Sequence, residues 1–71
     1  MFNNFIKSVQ IICLKHVGLE WVKSQYPDKQ IIEKDNTFIL DGVNEFFYRW
    51  EINELGMGEL VKYSDPMKIR N

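Results

Sequence analysis

The 71 residues carry 45% apolar and 14% aromatic side chains, which excludes a disordered chain and fits one small domain spanning 1–71. A net charge of −1, with nine dispersed Lys and Arg residues, lacks the basic stripe of a nucleic-acid binder. One cysteine and one histidine exclude an internal disulfide and a Cys/His zinc site within a single chain, so self-association is the staple left to a domain this small.

In chain order, Asn3 or Asn4 can cap a helix whose apolar residues Phe5, Ile6, Val9, Ile12, Cys13, His16 and Val17 recur at helical spacing. Past Gly18 the apolar residues Leu19, Trp21, Val22 and Tyr26 fall on roughly the opposite side. The segment therefore kinks at Gly18 or carries two stripes, the second running through Ile11, Leu14, Gly18 and Val22. A straight helix over 3–26 would be about 35 Å long, more than so small a domain covers alone. Pro27 ends it, because a residue before proline is pushed out of helical geometry.

Beyond Pro27 the period becomes two. Strands are expected over 30–34, 37–40 and 44–53, with Asp35-Asn36 as the first turn; after Gly56-Met57-Gly58, residues 59–63 read as a fourth strand or a short final helix, the strand being favoured. The Asp41-Gly42 hairpin admits two loop lengths. A three-residue loop, Leu40 to Gly42, puts Phe38 on one face with Phe46, Tyr48, Trp50 and Ile52, and pairs Ile39 with Val43 on the other; the hydrophobic pattern selects it. The fold class expected is α+β, a long N-terminal helix packed on a small antiparallel meander of three to four strands, with a tail over 64–71. Its core joins Phe38, Phe46, Tyr48 and Trp50 to Phe5, Val9 and Ile12.

Neither an export signal nor a membrane span is expected. Lys7, Gln10, Lys15 and His16 interrupt the apolar start, and no run approaches the roughly 18 apolar residues of a span. A cytoplasmic setting with Cys13 reduced follows. The middle of the chain is acidic, with Arg49 the one base among Asp35, Asp41, Glu45, Glu51, Glu54 and Glu59. Alanine is absent and Ile, Lys, Asn, Phe and Tyr are frequent, a set with AT-rich codons that suits a phage or mobile-element protein.

Chemistry is sparsely encoded. Cys13, His16 and Glu20 would share a face of a continuous helix as nucleophile, base and orienter, or as ligands to a metal across a dimer axis; the plain reading is a buried thiol and a packed imidazole. Gly56-Met57-Gly58 lacks the lysine of a phosphate cradle, and no cofactor is expected. Lys7, Lys15, Lys23 and Lys29 would need oligomerisation to form a nucleic-acid patch. Two surfaces are left over. Ile39, Val43 and Phe47, edged by Glu45, Arg49 and Glu51, form the expected protein-binding face, suited to a basic partner surface. Ile11, Leu14, Trp21 and Val22 form the expected homodimer seam. The function expected is a non-enzymatic protein-binding module, an inhibitor or adaptor that docks on a host protein.

Overall fold

A computed structural model describes residues 6–64, with side chains over 11–64. Strand β1 (Ile6–Ile12) is followed by helix α1 (Lys15–Gln25) and by strands β2 (Ile31–Lys34), β3 (Thr37–Leu40), β4 (Phe46–Ile52) and β5 (Gly58–Ser64). All strand pairs are antiparallel, in the order β1-β5-β4-β3-β2, with α1 packed on one face. The α+β class holds. The helix is shorter than expected and not N-terminal, and there are five strands rather than three or four.

The first correction is β1, where helix was expected. Ile6, Val9, Ile11 and Ile12 are β-branched and favour extended backbone. The register with β5 shifts between Ser8 and Gln10, and such an extra residue breaks period-two alternation into apolar spacings of three, at 6, 9 and 12, which a helix shares. Tertiary demand decides between them: Leu60 and Val61, adjacent on β5, are both buried, so β5 must be a central strand with a neighbour on either side. Asn3, Asn4, Phe5 and residues 65–71 of the expected tail lie outside the described residues, as does the side chain of Val9. Ser64 belongs to β5, and Ile12, expected in the core, is exposed.

The chain leaves the sheet at Cys13, whose N–H donates to the Gly58 carbonyl at 2.8 Å. Leu14 is still extended, and Gly18 N–H closes the first helical bond onto the Leu14 carbonyl at 2.9 Å. Gly18 marks a close approach instead of a kink, since a Cβ there would lie 3.3 Å from Cys13 Sγ and 3.4 Å from Leu60 Cδ1. As expected, the helix stops before Pro27, with Tyr26 as its C-cap. Among the described residues no helix is long and apolar enough to cross a membrane.

The core lies between α1 and one sheet face and consists of Val22, Phe38, Leu40, Tyr48 and Leu60. Leu19, Trp21, Tyr26, Ile31, Val43, Phe46 and Trp50 pack around it half-buried. The Trp21 ring meets the Tyr48 ring edge-on with centroids 5.7 Å apart, and the hydroxyls of Tyr26 and Tyr48 share a hydrogen bond of 2.9 Å.

The β3–β4 connection is the second correction. The Val43 N–H returns to the Leu40 carbonyl at 3.0 Å, with Gly42 at φ +85°, the left-handed value a type II turn demands at its third position. Pairing then resumes only at Phe38↔Tyr48, so residues 41–45 are all connection and Ile39 does not pair with Val43. The displacement along β4 is an even number of residues, so Phe38 still shares its face with Phe46, Tyr48 and Trp50. Ile52, expected with them, is exposed at the strand end.

Trp50 fastens three segments. Its backbone N–H donates to the Asn36 carbonyl at 2.7 Å and its indole Nε1–H to the Cys13 carbonyl at 2.9 Å. The ring lies so close over Gly58 that a Cβ there would sit 2.1 Å from Trp50 Cζ2 and 2.7 Å from the Cys13 carbonyl oxygen. Gly58→Ala must displace the indole and is expected to cost at least the roughly 1–3 kcal/mol of an overpacked core. The melting temperature should fall by about 4–8 °C for each kcal/mol lost. An alanine variant that melts with the native protein would show that the indole does not hold this position in solution.

Candidate functional site

The sheet face away from α1 carries the site. Alternation along the strands directs Thr37 and Ile39 from β3, Phe47, Arg49 and Glu51 from β4, and Glu59, Val61 and Tyr63 from β5 to this side. Two adjoining clefts open on it. The larger, about 320 Å³, is lined by Thr37, Ile39, Val43, Asn44, Phe46, Phe47 and Arg49. The smaller, about 250 Å³, is lined by Phe47, Arg49, Glu51 and Tyr63. Phe47 and Arg49 form the wall between them.

Phe47 and Tyr63 oppose each other in register, and their rings stack at 5.4 Å with planes 20° apart. The Tyr63 hydroxyl donates to Glu51 Oε2, which also faces Arg49 Nε at 3.6 Å. Arg49 is half-exposed, so the ion pair orients the side chains more than it stabilises the fold. Burial, then the hydrogen bond to Glu51 and the nearby negative charge, push the Tyr63 phenol up to about 12. The result is an aromatic floor with fixed polar groups, able to receive side chains from another molecule.

The structure brings Ile39, Val43, Phe47 and Arg49 into one cleft and Glu51 into the next. Val43 arrives from the 41–45 connection, half-buried against the core, and not from a strand pair. Glu45 is exposed and lines neither cleft.

The expected seam does not exist as one helical stripe. Ile11 lies on β1 against the core, Val22 is fully buried beneath α1, Trp21 packs on Tyr48, and Leu14 alone of the four is exposed. The same break separates Cys13 from the helix bearing His16 and Glu20. Cys13 Sγ lies 3.7 Å from the Ile11 carbonyl, His16 is exposed, and Glu20 meets Lys23 at 3.7 Å. Burial pushes the Cys13 thiol up, opposed by a backbone hydrogen bond at Leu60, which disfavours a reactive thiolate. Among the described residues no group of three His, Cys, Asp or Glu side chains could hold a metal. Lys15 and Lys23 of the lysine set are ion-paired, Lys15 to Glu33 at 3.1 Å.

Sequence reasoning missed two features. Tyr63 completes the aromatic floor, and the signal was the aromatic pair formed once β5 is registered against β4. The β4–β5 tip is the other, built by Asn53. Its Oδ1 accepts the N–H groups of Leu55 and Met57, both at 2.9 Å, and its backbone carbonyl accepts Gly56 N–H at 2.9 Å. Its own N–H donates to the Met57 carbonyl at 2.8 Å. An asparagine two residues before a leucine and three before a glycine is the legible sign of such a turn.

The neutral Tyr63 phenol is favoured by the fold, so its contribution to stability is complete below the unfolded pKa near 10 and is lost as pH climbs to about 12. Tyr48 is shifted upward too, by burial and then by its bond to Tyr26. Ultraviolet titration of the folded chain should therefore leave Tyr63 and Tyr48 un-ionised at pH 10.5, and Tyr63→Phe should remove the step near pH 12. Full ionisation by about pH 10 with the fold intact would contradict this placement. Asn53→Ala removes three side-chain hydrogen bonds, two from the N–H groups of the tip and one to Glu59 Oε1 at 3.4 Å, and should cost about 1–2 kcal/mol in chemical denaturation, and an unchanged midpoint would show the tip is not held by that side chain. Comparison with family models, with curated proteins and with solved structures gives no match, so the reading of the site rests on its own residues.

Proposed function

We propose that the chain is a non-enzymatic protein-binding module that docks through the sheet face opposite α1. The observation that carries this is the Phe47–Arg49 wall shared by two shallow adjoining clefts. The larger cleft is at the bottom of the roughly 300–1,000 Å³ range of small-molecule pockets and the smaller is below it, and the pair together suits two side chains of one protein partner. Phe47 is the anchor, half-buried and held by Tyr63. The acids of residues 35–60 favour a partner with a basic surface. Small size and AT-rich composition suit an inhibitor or adaptor encoded by a phage or mobile element and directed at a host protein.

The test is the double variant Phe47→Ser with Ile39→Ser. Circular dichroism should show the fold retained. A protein captured from host lysate by the native chain, identified and purified, should bind the variant at least about 30-fold more weakly, the loss of a hot spot worth about 2 kcal/mol. A folded variant that binds the same partner with native affinity overturns the proposal. A variant that unfolds is replaced by Phe47→Tyr with Arg49→Glu, read against the same partner.

A further inference from the structure

One end of the molecule gathers apolar side chains that the fold leaves uncovered. Ile12 is 58% exposed, Leu14 64%, Ile52 58%, Leu55 81% and Met57 43%. The register Ile12↔Glu59, the pair Ile52↔Gly58 and the Cys13–Gly58 hydrogen bond bring these residues to the same end. None of the residues lining the two clefts is among them, although Ile12, opposite Glu59, points to the same side of the sheet.

We propose that this end seats a second copy of the chain in a two-fold dimer, with Leu55 as the central contact. Three observations favour a copy over another occupant. The tip is already organised, because Asn53 fixes Leu55 and Met57 through their N–H groups and Gly56 takes φ +80°, so little order is lost on association. The area is of the right order: covering five side chains exposed to this degree withdraws on the order of 500 Å² per copy. With its polar rim that approaches the roughly 800 Å² per partner of a standard interface.

The charges at this end complement themselves. Helix α1 begins without a side-chain cap and with no acid in its first turn, which holds the exposed His16 and Lys15, itself paired with Glu33, whereas the tip carries the exposed Glu54. An isologous contact lets each tip carboxylate meet the positive helix end of the other copy. A domain with one cysteine and few buried residues gains from such pairing what its own core does not supply.

Sedimentation equilibrium on the native chain, Leu55→Asp, Glu54→Lys and the Phe47/Ile39 double serine variant tests the assignment. The native chain should sediment at about twice its 8.5 kDa. Leu55→Asp, at an exposed loop position, should leave the circular dichroism spectrum unchanged and raise the dimer dissociation constant at least about tenfold. Glu54→Lys should weaken the dimer in low salt and less so in high salt. The double serine variant should dimerise as the native chain does, which separates this surface from the docking face. A native chain that stays monomeric at several hundred micromolar overturns the proposal, including the case where it binds phosphatidylcholine vesicles instead. So does a folded Leu55→Asp dimer of native strength, or a dimer lost only in the double serine variant.

Discussion

The position of Trp50 sets the rest of the structure. Its two N–H groups go to carbonyls from different parts of the chain, Asn36 in the β2–β3 turn and Cys13 at the β1–α1 junction, while its ring covers Gly58 where β5 begins. Three connections are thereby registered against one residue of β4, the first through its backbone and the other two through its ring. The junction cannot slide along β5 without breaking the indole bond, and the helix that starts two residues later is aimed across the sheet from that point. A buried donor left unpaired costs about 1–3 kcal/mol, so alternative registers that strand the indole N–H are disfavoured. Gly58 is the complement to this arrangement, being the one residue type that leaves room for the ring.

Packing and site follow from the same anchoring. With β4 fixed, Tyr48 points under the helix and receives Trp21, Tyr26 and Phe46 around it, while Phe47, Arg49 and Glu51 turn to the far side. Alternation then makes the two faces consequences of a single register. The helix face is closed by aromatic contacts. Its far side keeps clefts because α1 is the only helix among the described residues and it lies on the other side.

Much of this was legible in the chain. Asp35-Asn36, Gly42 and Gly56 each announce a turn, and strands β2 to β5 fall between them close to their expected bounds. That Phe38 shares a face with Tyr48 was predictable even though the register was displaced by four residues, because an even displacement preserves which side a residue faces. That is why Ile39, Phe47, Arg49 and Glu51 were expected together on the face where the structure puts them, and why Val43 lines the same cleft although its expected pairing is absent. The first strand was not legible. Its bulge gives Ile6, Val9 and Ile12 a spacing that helix and bulged strand share, and only the burial of Leu60 and Val61 on opposite sides of β5 separates the two. The tip was missed because Leu55 and Met57 flank a glycine and read as part of a turn, not as a surface.

The bulge has a consequence of its own. Among the described residues β1 and β2 are the outer strands, and an outer strand offers unpaired backbone groups to which another chain can add. A register shift in β1 locally disrupts its hydrogen-bond ladder and sharpens its twist, and β2 is four residues long with Glu33 and Lys34 at its end. Both outer strands are thus poor templates for sheet extension and for fibrillar growth. A small, aromatic-rich chain with exposed isoleucines would otherwise be prone to both. The docking face and the dimer end proposed above are both side-chain surfaces, where association can be specific and can saturate.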